Sequence, residues 1–343
     1  MRAAILVAQN APLEIGEVEV PRPEVGQVLV RVECSGICGK QLDEISGKRG
    51  HDPFIPHLLG HEGAGVVIEV GPGVNKAKAG DRVVLHWMKG LGINAATPQY
   101  RWKGRPVNAG WVTTFNEYAV VSENRLTPVG TDIDPAVAAL LGCAVTTGLG
   151  IVFNDAALKP GQSLAVFGVG GVGLNVIQGA ALLNSYPIAA VDLHDHKLEQ
   201  AVRFGATHTV NARRGDLAGV LKEVSGGRGF DVAVDAVGDA RLIETAYAVT
   251  SDSGRTILAG VPHHEERITI DSFPLHFGRR LFGSHGGDTQ PDVDIPRYIE
   301  LYKRGKLKLD EQIAGRHPLE AINEVLERVR RGDAVGRCVI AMA

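Results

Sequence analysis

Residues 163–192, SLAVFGVGGVGLNVIQGAALLNSYPIAAVD, read as strand, glycine turn, helix and strand, ending on a carboxylate. Residues 163–167 form a short apolar run suited to a buried parallel strand, and Gly168, Gly170, Gly171, Val172 and Gly173 follow it directly. In such a turn the first glycine permits a sharp bend, the middle ones let backbone approach a pyrophosphate, and the last lets the helix close on the strand. The helix then turns free N–H groups and the positive end of its dipole toward the phosphates. Asp192 stands 19 residues past Gly173, where a carboxylate accepts hydrogen bonds from both adenosine ribose hydroxyls and repels a 2′-phosphate. The stretch therefore favours NAD over NADP. Lys197, just beyond Asp192, tempers that preference as a cation placed to neutralise a 2′-phosphate.

A chain of 343 residues is long enough for two domains, each with its own core. The net charge of −3, without a long basic run, argues against a nucleic-acid partner. The opening MRAAILVAQN is too short an apolar segment for a signal peptide, and no apolar segment reaches membrane-spanning length. A soluble, cytoplasmic protein with no membrane partner is expected. Four cysteines, Cys34, Cys38, Cys143 and Cys338, are too few and too irregularly spaced for a disulfide framework, so they point to thiol chemistry, metal or packing.

From the start, residues 1–33 alternate apolar and polar positions between prolines, which predicts antiparallel strands. Strands are also expected over 63–70, 80–85 and 111–121. Residues 86–110 have no clear period and read as a long, ordered excursion, either a solvated loop packed by its own tryptophans or a flap over the substrate. A short helix is expected over 135–141. From about residue 148 the pattern becomes alternating helix and strand. Strands are placed at 163–167, 188–191, 207–211, 230–234, 255–259 and 280–284, a doubly wound α/β sheet. Two amphipathic helices, near 293–304 and 318–331, precede a last strand at 337–342.

Cys38, His61 and Cys143 are scattered along the chain, but each lies in a loop beside glycine. Two thiolates and one imidazole would leave zinc one open position, as a catalytic site requires. Spacing alone leaves open the plainer reading, in which Cys143 is a small buried hydrophobe and His61 a loop histidine with satisfied hydrogen bonds. The segments CSGICGK, GHEGAG, GCAVTTG and GVGGVG, in this order and at these separations, resemble the zinc-dependent medium-chain alcohol and polyol dehydrogenases over essentially the whole chain. The resemblance implies a chaperonin-10-like, mostly β catalytic domain made of residues 1–146 and 286–343, with a Rossmann NAD-binding domain, residues 147–285, inserted between. It also implies that Cys38, His61 and Cys143 bind one catalytic zinc, with Glu62 close to the metal. Thr147 then lies by the nicotinamide, the Val261 backbone holds its carboxamide, and Arg337 reaches the pyrophosphate. A homodimer or homotetramer, pairing edge strands near 280–284, is implied as well.

The chain departs from the family in three places. Lys40 stands where a serine or threonine usually starts a proton relay. It suggests a general base or a cation for a polyhydroxylated or anionic substrate, against the alternative that it points into solvent. Gln41 replaces an aspartate that supports a zinc ligand, and an amide polarises an imidazole less than a carboxylate does. Residues 86–110 lack the four cysteines of a structural zinc site, so one zinc is expected. They carry Lys89, Arg101, Trp102, Lys103 and Arg105 instead. The function expected is an NAD-linked zinc dehydrogenase acting on a secondary alcohol, or ketone, of a sugar, polyol or cyclitol. The alternatives are a general alcohol dehydrogenase or aldehyde reductase, a metal-free dinucleotide-binding protein without catalysis, and a zinc-free NADP reductase.

Overall fold

The computed structural model describes residues 1–48 and 50–342, which divide into two compact units. One comprises Met1–Ala144, Gln290–Arg304 and Leu309–Ala343, the other Val145–Thr289 and Gly305–Lys308. The divisions differ by a few residues from those expected at 146/147 and 285/286. Within the second unit, Thr289 Oγ1 donates to the Thr146 carbonyl at 3.0 Å, and Lys308 N–H donates to Gln178 Oε1 at 3.0 Å. These bonds tie the boundary segments to the inserted unit.

The second unit is a six-stranded sheet with every neighbour parallel. Across it run His208–Asn211, Ile188–Asp192, Leu164–Phe167, Phe230–Asp235, Thr250–Leu258 and Arg280–Gly283. Strand Leu164–Phe167 is apolar at every position because helices cover both faces. Leu164 and Val166 join one core with Ile177, Val232 and Ile257, while Ala165 and Phe167 join the other with Val191, Leu221 and Phe230.

The first unit is antiparallel except at its end. Strand Gln27–Gly36 pairs with Glu62–Val70, with Tyr118–Ser122 and with Arg337–Ala341, so it draws the C-terminal strand into its sheet. Arg337–Ala341 also pairs in parallel with Ile313–Pro318, a strand absent from the sequence reading. The strand expected over 111–121 begins only at Tyr118. Its first part is irregular because Thr114 and Phe115 donate to the Leu59 carbonyl rather than to a ladder. A helix, Gly39–Ser46, follows Cys38 where the sequence reading placed only loop.

The excursion holds a short hairpin, Tyr100–Trp102 with Arg105–Val107, and one buried and one half-buried carboxylate anchor its beginning. Glu123, 3% exposed, accepts from the backbone N–H of Asn75, Lys76 and Ile93 at 2.6–2.8 Å. Asp292 accepts from Leu91 N–H at 2.6 Å and Thr127 Oγ1 at 3.1 Å, and pairs with Lys76. Burial would raise the Glu123 carboxyl, but donation from the three backbone N–H groups and the Lys76 charge outweigh it and hold the group below its ordinary range. A depressed carboxylate contributes stability above its unfolded pKa and loses it as pH falls through the folded value. Glu123→Gln should therefore lower the urea midpoint at neutral pH by an amount equivalent to about 2 kcal/mol. The gap to wild type should close on acidification below the ordinary carboxylate range; a gap independent of pH would contradict the assignment.

Candidate metal centre and dinucleotide turn

Three segments of the first unit converge. Cys38 is the residue capping the start of helix Gly39–Ser46, His61 immediately precedes strand Glu62–Val70, and Cys143 follows helix Pro135–Leu140. One ligand atom from each of the three lies within 4.8 Å of the others. Close approach at the cysteine turn depends on Gly142, where a Cβ would lie 2.3 Å from the Leu85 carbonyl and 2.9 Å from Glu62 Cα. His61 Nε2 is buried and turned toward the Cys38 sulfur, as expected of a nitrogen that shares a metal with it. A hydrogen bond from Cys143, against the cost of burial, holds the Cys38 thiol well below its ordinary range, with Arg337 and His61 adding to the effect. The same pairing, with burial, pushes Cys143 up. Two sulfurs and an imidazole nitrogen are a donor set that suits zinc once the thiol protons leave.

Glu62 has no solvent exposure. Its Oε2 accepts from Ala144 N–H at 3.2 Å, and its Oε1 lies 3.1 Å from Arg337 Nε. Arg337, expected at the pyrophosphate, is 6% exposed; it also donates to the Ile37 carbonyl at 2.9 Å, and its Nη2 is buried without a hydrogen-bond partner. Burial would lower its pKa, but Glu62 and the two cysteines outweigh that and raise it, so a permanent cation faces the sulfurs.

A cavity of about 670 Å³ opens beside His61. Lys40, Glu44, His57, Asn108 and Trp111 line it, among others. Lys40 does not point away into solvent: its Nζ is buried, 4.0 Å from Glu44 Oε1. The end of the excursion contributes Thr97, Asn108, Ala109 and Gly110 to the wall, while the hairpin cations lie elsewhere, with Arg101 on the Gly104 carbonyl and Lys103 over the Trp102 ring. The sequence reading missed His57, whose Nε2 meets Asp52 Oδ2 at 2.9 Å, and the aromatic walls Phe54 and Trp111. No motif marks these residues; only the local chain path joins them.

In the second unit, the helix Gly171–Leu182 has no side-chain cap, so its first N–H groups are left for an anion. Gly173 allows that helix to sit on the strand, since a Cβ there would lie 2.0 Å from the Gly168 carbonyl. Asp192 accepts from Val169 N–H at 2.9 Å and Leu193 N–H at 2.8 Å, which fixes its carboxylate at the strand end beside the turn. Lys197 lies early in helix Asp195–Arg203. Thr147 Oγ1 is buried without a hydrogen-bond partner, and Val261 is 39% exposed.

Two family models match the chain. The alcohol dehydrogenase GroES-like domain covers residues 24–131 and the zinc-binding dehydrogenase domain residues 171–304. The S-(hydroxymethyl)glutathione dehydrogenase of Escherichia coli O6:H1 is 32% identical over 97% of this chain and 98% of its own length. The crystal structure of benzyl alcohol dehydrogenase from Acinetobacter calcoaceticus is 26% identical, with a TM-score of 0.91 over 100% of this chain and 99% of that one. An alcohol dehydrogenase zinc-binding domain protein from Burkholderia ambifaria reaches 0.92 at 28% identity, over 100% and 98% of the two chains. Convergent cysteine and histidine ligands, a chaperonin-10-like unit and a parallel dinucleotide-type sheet agree with these likenesses, and the chain belongs to the medium-chain dehydrogenase/reductase family as a zinc-type alcohol dehydrogenase.

Proposed function

We propose that this protein is an NAD-linked dehydrogenase that interconverts a secondary alcohol and its ketone on a hydrophilic substrate of the sugar, polyol or cyclitol class. The observation that carries the substrate class is the cavity beside His61, whose wall includes Lys40, Asp43, Glu44, Asp52 and His57. Such a wall offers hydroxyl groups both donors and acceptors. A second reading, a primary or aromatic alcohol, draws support from Phe54 and Trp111 in the same wall and from the names of the relatives.

Cys38, His61 and Cys143 would hold a single zinc, leaving one position for substrate. Bound zinc supplies Lewis acidity to an alcohol or carbonyl oxygen, and bound NAD(H) supplies the hydride acceptor or donor. The chain's own residues do the rest. Lys40 Nζ exchanges the hydroxyl proton, taking it in oxidation and giving it in reduction, with Glu44 as the next acceptor toward solvent. Arg337 and Glu62 hold the charge of the thiolates in balance, and Arg337 Nη2 is the donor left for an anion. Gly168, Gly170, Gly171, Val172 and Gly173 cradle the pyrophosphate, Asp192 takes the ribose, Lys197 flanks it, and Thr147 and Val261 hold the nicotinamide. The open edge of strand Arg280–Gly283, which pairs with Thr250–Leu258 on one side, supports a homodimer or homotetramer. Exposed Phe273 and Phe277 precede that strand. Among the described residues no helix is long and apolar enough to cross a membrane and no disulfide joins the four cysteines, which suits work in the cytoplasm.

Three outcomes test this reading. NADH formation should be fastest with polyols and cyclitols in a panel that also contains benzyl alcohol and simple primary alcohols; preference for the latter group selects the second reading. Lys40→Ala should lower turnover about 100-fold or more while leaving NAD affinity unchanged, and unaltered turnover removes the proton role. Cysteine binds metal as thiolate, and the pairing with Cys38, with burial, pushes the Cys143 thiol up, so metal uptake competes with protons. Chelator should therefore extract zinc more readily at about pH 6 than at about pH 8, and the fully loaded protein should contain one zinc per chain.

A further inference from the structure

The side chain of Gln41 faces two neighbours that make incompatible demands once a metal is bound. Gln41 is 1% exposed. Its Oε1 accepts from the backbone N–H of Cys38 at 2.8 Å, one half of a capping box at the start of helix Gly39–Ser46. A backbone N–H can only donate, so this bond fixes which end of the amide is oxygen. Nε2 is then the end that meets His61 Nδ1, at 2.7 Å, and an amide nitrogen can only donate. Nδ1 must accept, which puts the ring proton on Nε2, the buried nitrogen turned toward Cys38.

That arrangement suits the empty centre and opposes the loaded one. A metal on Nε2 requires the ring proton to move to Nδ1. Cys38 N–H and His61 Nδ1–H then both need acceptors, and each faces a different end of an amide that has a single oxygen. Turning the amide over only moves the donor-against-donor contact from the histidine to the helix cap. A carboxylate of the same length would accept at both ends.

We propose that Gln41 is a positioning residue that weakens the grip on zinc: its amide caps the helix and stabilises the metal-free imidazole, so the metal at this centre is readily exchanged. The inference rests on the zinc reading given above and deepens it, since it assigns a consequence to one side chain that touches no substrate.

The test starts from purified zinc-loaded protein and measures, by elemental analysis after equilibration with a graded series of chelators, how much zinc stays bound. Gln41→Glu should retain zinc about 10-fold to 100-fold more tightly than wild type. A purely structural capping role predicts no gain or a loss. Retention equal to or weaker than wild type, in a variant with a wild-type melting temperature and the same zinc content at saturation, overturns the proposal. Gln41→Asp, which carries the same carboxylate on a shorter stem, decides the matter in the same direction if the glutamate variant fails to fold. Cys38→Ser is the control for the centre itself. If wild type and Cys38→Ser hold the same zinc, or none, then the zinc reading falls and this inference falls with it; a failure confined to the Gln41 variants leaves the zinc reading standing.

Discussion

A carboxylate with no access to water, Glu62, lies against the guanidinium of Arg337, and the catalytic unit is arranged to keep that pair compensated. Separating such a pair would leave an uncompensated charge in the interior, a loss of about 3–5 kcal/mol. The three metal-ligand segments all meet at this residue. His61 precedes it, a Cβ at Gly36 would lie 2.4 Å from its Oε1, and Gly142 packs on its Cα while Ala144 N–H donates to its Oε2. Arg337 begins the C-terminal strand, so the ion pair also requires that strand to join the sheet of Gln27–Gly36. Convergence of Cys38, His61 and Cys143 is thus a consequence of burying one charge properly.

The first turn of helix Gly39–Ser46 concentrates what is particular to this chain. Successive residues on a helix point about 100° apart. Lys40 therefore reaches the cavity wall while Gln41 folds back onto the capping residue and the imidazole. Two adjacent residues thus face different parts of one centre, the first the cavity and the second the imidazole. Neither needs any change in the scaffold around it.

How much of this was legible in the sequence differs between the units. Every strand of the parallel sheet was visible: the central ones, covered on both faces, are written as apolar runs such as 164–167, and the edge strands follow from the alternation of helix and strand. Asp192 was visible for the same reason, being fixed by distance from the turn. The antiparallel unit was read less completely. Its irregular stretch before Tyr118 looks apolar enough for a strand, yet its N–H groups serve a loop carbonyl, which no local pattern records. Helix Gly39–Ser46 was missed because it is short and opens on a glycine. Cys38, His61 and Cys143 could be grouped through family resemblance, since residues this far apart carry no spacing signal. His57 with Asp52, and Glu123 with its three backbone donors, depend on contacts made only after folding.

The beginning of the excursion is tied by carboxylate oxygens to peptide N–H groups from separate loops, with Asp292 and Lys76 completing the knot. The hold on this stretch is therefore set by the charge of two carboxylates that lie outside it, Glu123 and Asp292.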